Sequence, residues 1–215
     1  MRSLRSVKID GTLHQVLISD ESQALLAAAA AGRAVVGYAP DGRFVFGAPY
    51  VVESLEDLED DFLKRVVQRK LGLPWLICET KRLQVREFSM EDLPALQPLF
   101  GEEPEERREK LEAYIRCQYG LYEYGLWALV RREDGKLVGW AGFSPLEEEG
   151  MPELGYCVLK PYRRQGYAKE ACRAILKYGR DQLAFTRVIC RIEKSNQASL
   201  RTAAALGAGV EIVLV

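Results

Sequence analysis

Apolar and polar positions along the chain fall into two successive patterns. In the first, "HQVLISD" (14–20) is a short apolar run, a strand candidate. "ESQALLAAAAAG" follows as a helix, with Asp20 or Ser22 able to cap its start and Gly32 its end. "RAVVGYA" is a second buried strand, "APDGR" a turn, and "FGAPYVVES" a third extended piece. "SLEDLEDDFLKRVVQRKLG" is an amphipathic helix, with Ser54 as cap and acids in its first turn. This order predicts a small α/β unit with a parallel sheet over residues 1–80, a partial Rossmann-like arrangement.

Around "LPWLICETKRLQVREF" the pattern restarts. "RLQVREF" alternates like a strand with one wet face, and "SMEDLPALQPLF" is a helix capped by Ser89. "GEEPEERREKLEAYIRCQYGLYEYG" is a charged, solvated helix. "LWALVRRED" and "GKLVGWAGFSP" meet at Asp134-Gly135, a hairpin signal, and "MPELGYCVLKP" extends the meander. A long helix, a strand, a helix and a last strand "VEIVLV" complete an α+β unit over 81–215.

Composition narrows the chemistry. The 215 residues are 48% hydrophobic, enough for a sizeable core. A formal charge of −1 supplies no global field for nucleic acid or membrane, so any anion site is local. The N-terminus lacks the apolar core of a secretory signal, and no apolar run approaches a membrane span. The five cysteines have no C-x-x-C spacing and suit reduced thiols in a cytoplasmic protein. With His14 the single histidine, neither a histidine metal site nor a histidine-activated nucleophile is expected.

One stretch concentrates hydrogen-bond donors where a helix begins. "KPYRRQGYAKEA" (160–171) puts Arg163, Arg164 and Gln165 before Gly166, between a strand and the long helix. Helix N-terminal amides lack partners and carry the positive end of the dipole, and a glycine lets a bulky anion reach the backbone. A phosphate or diphosphate seat is one reading. A plain strand-to-helix turn with surface arginines is the other.

The context separates them. "RRQGYA" resembles the Arg/Gln-x-x-Gly-x-Gly/Ala motif with which the GNAT superfamily of N-acetyltransferases holds the coenzyme A diphosphate. "NQASLRTAAALG", about thirty residues on, is similar to that superfamily's Asn-x-x-Ser…Leu-Gly helix. "ELGYCVLKPYRRQGYAKEACRAIL" resembles the branch that acetylates ribosomal-protein N-termini. The resemblance covers 81–215 and implies a mixed, mostly antiparallel sheet flanked by helices, the GNAT fold. It also implies acetyl-CoA as cofactor and a primary amine as acceptor. Backbone groups of Val158 and Leu159 are then expected to pair with the pantetheine arm. Amides of Arg163, Arg164, Gln165, Gly166, Tyr167 and Ala168 would cradle the diphosphate, and Asn196 would bond the cofactor near its thioester.

Acetyl transfer needs a neutral amine. An α-amine with a pKa near 7.7–8.0 is partly neutral at pH 7, whereas a lysine near 10.4 is almost wholly charged. Glu153, at the start of the strand leading into the loop, is the candidate base acting through water; an exposed strand-end acid is its alternative. Cys157 shares its face by period two, with no histidine to activate it. Many superfamily members carry a tyrosine acid seven residues after the asparagine; here that position is Ala203, and Ala208 replaces an aromatic after Leu-Gly. Where relatives continue into a further strand, this chain has an open edge or takes a partner strand, as in a homodimer. These departures keep a second function open, a non-catalytic acyl-CoA-binding or scaffolding protein.

Residues 1–80 resemble the C-terminal part of a haloacid-dehalogenase-type phosphatase, through an Asp-x-Ser turn, an alanine-rich helix and "YVVESLEDL". The nucleophile motif Asp-x-Asp-x-Thr is absent. That implies a non-catalytic accessory domain, with Asp20 a helix cap and not a metal ligand.

Overall fold

Continuous buried runs at residues 127–130 and 138–143 form the centre of the larger sheet. The computed structural model describes residues 2–145, 151–207 and 209–215. The chain forms two units, Met1–Trp75 and Leu76–Val215.

The first unit holds strands β1 (Arg2–Ile9), β2 (Thr12–Ser19), β3 (Ala34–Tyr38) and β4 (Val51–Val52) in the order β1-β2-β3-β4. Helix α1 (Ser22–Ala30) packs Leu25 and Ala28 on Leu17 and Val35. Helix α2 (Asp60–Lys70) packs Leu63, Val66 and Val67 with Val16, Ile18 and Val36. Neighbouring β-residues point to opposite faces, so the sheet carries a helix on each. The expected all-parallel sheet is mixed instead: β1 pairs antiparallel with β2, while β2-β3-β4 is parallel. The turn at Asp10-Gly11, both at positive φ, made this hairpin legible and its signal was missed. Neither Asp20 nor Ser22 caps α1. Glu21 is the N-cap without a side-chain bond, and Ser22 Oγ accepts from the Phe46 amide. Ser54 does cap, but a 3₁₀ turn (Leu55–Asp57), with Asp57 bonding back to the Ser54 amide; α2 starts after it.

The second unit is a seven-stranded sheet in the order β11-β10-β9-β8-β7-β6-β5. Its strands are β5 (Leu76–Glu79), β6 (Leu83–Arg86), β7 (Leu126–Arg131), β8 (Leu137–Ser144), β9 (Glu153–Val158), β10 (Val188–Ile192) and β11 (Val210–Leu214). Pairing is antiparallel from β5 to β9 and parallel from β9 to β11. The expected helix after Ser89 contains Pro94 and Pro98, and it resolves into a 3₁₀ turn (Met90–Ala95) and a short α3 (Gln97–Phe100). The charged helix is also interrupted. Helix α4 (Pro104–Ala113) widens into a π turn (Tyr114–Gln118) before α5 (Tyr119–Tyr122). Widening lets residues five apart share a face, which an α-helix does not. The Tyr114 hydroxyl accepts from the Leu126 amide at 2.6 Å and the Tyr119 hydroxyl donates to the Leu126 carbonyl at 2.5 Å, pinning the start of β7.

Helices α6 (Tyr167–Leu183) and α7 (Gln197–Ala204) share the sheet face of Phe143, Leu154 and Tyr156. Gly179, inside α6, sits under the buried Phe143 ring; a Cβ there would lie 2.8 Å from Phe143 Cζ. Phe143 is itself held edge-on by Trp127 and Phe185. Gly179→Ala gains about 1 kcal/mol of helix propensity, yet the ring has no room to move and overpacking costs about 1–3 kcal/mol. We expect this variant to melt below the parent in thermal denaturation; a higher melting point would show that the ring–helix contact is slack.

Candidate functional site

The strand-to-helix loop is built by two left-handed residues. Arg164 has φ 62° and Gly166 φ 82°, and Gly166 is the N-cap of α6. The first helical bond runs from the Glu170 amide to the Gly166 carbonyl at 3.1 Å, which leaves the amides of 167–169 without intrahelical partners. Beyond β9 the sheet opens: β9 and β10 are in register only at Glu153 and Ile189. A cleft of about 700 Å³ lies along this splay. It is walled by Tyr156, Cys157 and Val158, by the loop, and by α7 from Asn196 to Ala205.

Val158, Arg163, Arg164, Gly166, Tyr167, Ala168 and Asn196 all line this cleft. Leu159 and Gln165 do not. The Leu159 amide is spent on the Val138 carbonyl at 2.8 Å, and its carbonyl accepts from the Tyr162 amide at 2.8 Å. Leu159 therefore offers no free amide to a ligand. The Gln165 carbonyl faces the other way, accepting from Arg82 Nη1 at 2.9 Å. Glu153 is also outside the cleft wall. It pairs with Ser144 and Ile189, roughly 13 Å along β9 from Cys157 at four residues' rise. Ala208 lies outside the described residues.

Asn196 caps α7 by accepting from the Ser199 amide through Oδ1 at 3.1 Å. Its amide NH₂ remains the donor for a ligand. Both roles anticipated for it are thus chemically compatible. Cys157 is half-buried; burial pushes its thiol up, with Arg163 opposing. Arg163 folds back onto the strand end, donating from Nε to the Val158 carbonyl at 2.9 Å. The Tyr156 hydroxyl crosses to α7 and donates to the Ser199 carbonyl at 2.8 Å. Burial moves this phenol strongly upward, so it keeps its proton.

Sequence reading missed the loop's brace. Arg82, at the head of β6, ion-pairs with Glu170 at 2.6 Å, donates to the Gln165 carbonyl, and lies over the Tyr167 ring at 4.5 Å. Glu170 accepts further bonds from Thr80 Oγ1 at 2.7 Å and the Arg82 amide at 3.0 Å. Burial raises the Glu170 carboxyl pKa, but these bonds outweigh it and hold the group below its usual 4.5. The signal was a sequence separation of over eighty residues, which periodicity does not reveal.

Residues 82–209 match the acetyltransferase (GNAT) domain family, more than half the chain. The chain is 33% identical over 88 residues to the uncharacterized protein YkkB of Bacillus subtilis (strain 168), covering 40% of this chain and 51% of that protein. It thus spans about half the length of that curated relative. It is 29% identical over 151 residues to the uncharacterized N-acetyltransferase YoaA of the same organism, covering 64% and 85%. An acetyltransferase from Agrobacterium tumefaciens str. C58 aligns with TM-score 0.53 over 60% of this chain and 81% of its own; at 20% identity the likeness is one of fold.

Removing the brace frees the Gln165–Gly166 peptide to rotate. Arg82→Ala is expected to weaken coenzyme A binding about tenfold, as loss of a charged hydrogen bond would, while the sheet stays folded. Titration calorimetry measures it, and an unchanged affinity would show that the loop holds its own shape. Stability from Glu170 has a defined pH window. Its depressed pKa stabilises the fold above the unfolded value of 4.5 and the contribution is lost as pH falls through the folded value. The stability gap between parent and Glu170→Gln is therefore expected to close below pH 4.5.

Proposed function

From the premise that this chain belongs to the acetyltransferase (GNAT) family, we propose that it is an N-acetyltransferase moving an acetyl group from acetyl-CoA to a primary amine, a protein N-terminus or a small-molecule amine, by direct attack. The observation that carries the proposal is the Gly166 turn at the mouth of the cleft. Gly166 holds φ 82°, a left-handed conformation that favours glycine, the residue that leaves the amides approachable. The donor set suits a diphosphate: orphan amides at the start of a 17-residue helix, with Arg163, Arg164 and Lys169 on the rim.

Bound acetyl-CoA supplies a thioester, an acyl donor with a thiolate leaving group. The chain's residues bind and orient it. The Val158 strand edge and Asn196 flank the arm, and the loop amides fix the diphosphate end. Glu153 is the base we assign to the amine, acting through water along the β9 face that it shares with Cys157. Cys157 is held as a thiol by burial, which disfavours an acyl-cysteine route and supports direct attack. Residues 1–80 we read as the accessory, haloacid-dehalogenase-like domain, and the protein as cytoplasmic.

One observation favours the binding-only alternative. Ala203 is a buried methyl at 2% exposure, so α7 offers no side-chain acid there. Release of free thiol from acetyl-CoA in the presence of a panel of amines separates the two functions, since a scaffold releases none. Gly166→Val is expected to weaken coenzyme A binding at least tenfold, through strain at φ 82° and crowding of the Arg82 brace; parent-like affinity would reduce the loop to a turn. Glu153→Gln is expected to lower kcat by roughly 10²–10⁴ with coenzyme A affinity unchanged, and the gap is expected to narrow as pH nears the amine pKa. Parallel pH–rate profiles for parent and variant would make Glu153 structural.

A further inference from the structure

A second cavity, of about 380 Å³, lies behind the loop and has no part in the cleft chemistry above. Its lining is strongly cationic: Lys81, Arg82, Arg131 and Arg132, with Glu133 and Tyr167. Tyr167 lines both this cavity and the cleft, so the two adjoin at the first residue of α6. Two of the four cations are already committed. Arg82 is paired with Glu170, and Arg131 holds Asp134 through Nε and Nη2 at 2.9 and 2.6 Å while lying over the Tyr162 ring at 5.1 Å. Lys81 and Arg132 have no carboxylate partner among the described residues. Arg132 spends one donor on the Thr80 carbonyl at 3.0 Å.

The cations are also forced together by the sheet. Leu83 is in register with Arg131, which brings Arg82 beside Arg132 on the neighbouring strands. The Arg132 amide bonds the Arg82 carbonyl at 2.9 Å, confirming that contact. Like charges placed across neighbouring strands destabilise each other. An anion in the cavity would relieve that repulsion and gain charge-assisted bonds from Lys81 and from the donors of Arg132 other than the one on the Thr80 carbonyl.

We propose that this cavity is an anion subsite for the ribose 3′-phosphate of coenzyme A, with Lys81 and Arg132 as its ligands. The inference rests on the coenzyme A reading of the cleft. Coenzyme A carries a phosphate one ribose away from its diphosphate, and this cavity lies one residue from the amides assigned to the diphosphate. Arg82 and Arg131 shape the wall, because their guanidinium groups are fixed by acids and by tyrosine rings. Lys81 and Arg132 supply the recognition, because they are exposed and have no carboxylate partner among the described residues.

The test compares coenzyme A with 3′-dephospho-coenzyme A by titration calorimetry on the full chain. The parent is expected to bind coenzyme A about tenfold more tightly, and the preference is expected to shrink at higher salt. In the Lys81→Ala/Arg132→Ala variant the preference is expected to disappear, with dephospho-coenzyme A affinity unchanged. Both side chains are exposed, so this variant folds as the parent does. A Lys169→Ala/Arg201→Ala variant, altered on the cleft rim, is expected to keep the preference. Equal affinities in the parent, a preference that survives in the first variant, or one that vanishes only in the second would each overturn the subsite while leaving the acetyltransferase proposal standing. Failure of the parent to bind either ligand would overturn both.

Discussion

A trans peptide points its carbonyl and its N–H in opposite directions, and the cleft depends on that rule at one bond, Gln165–Gly166. Arg82 holds the Gln165 carbonyl from behind. The Gly166 amide must then point away from Arg82, towards the cleft that Gly166 lines. The neighbouring left-handed Arg164 and Gly166 are the backbone cost of this orientation. Glu170 closes the arrangement, since it lies on the first turn of α6 and fixes Arg82. The start of the helix, the head of β6 and the loop are therefore one electrostatic unit.

Local chemistry made much of the fold legible. Asp134-Gly135 marked a hairpin, the long amphipathic helix α6 had its period, and Asn196 carried the side chain that caps α7. Features that depend on partners distant in sequence were not legible. Strand β5 is four residues long, too short for a period to show. The break after α4 follows from two tyrosines reaching the same residue of β7, a demand set by the sheet and not by the helix sequence.

The same division holds at the site. Gly166, Tyr167, Ala168 and the arginines line the cleft, because their positions follow from the loop's own backbone. Leu159 and Gln165 are not on the cleft lining, because proximity in sequence says nothing about which side of a peptide faces out. The Leu159 groups close the β8 ladder and the 3₁₀ turn (Lys160–Tyr162), and the Gln165 carbonyl faces its brace. Tyr156 went unassigned in the sequence because alternation put it on a strand face with no hint of what that face met.

Tyr156 reaches the helix turn that carries the alanine at residue 203. Its ring leaves β9 towards α7, where the hydroxyl bonds the Ser199 carbonyl and interacts with the Ala203 backbone. Ala203 is itself buried, so a bulky side chain there would have to displace its neighbours. The substitution that looked like a lost proton donor in the sequence coincides with a phenol already seated on the same wall of the cleft. Because burial keeps that phenol protonated, the wall retains a hydroxyl at every pH where the amine is reactive, and Ala203 alone does not decide between catalysis and binding.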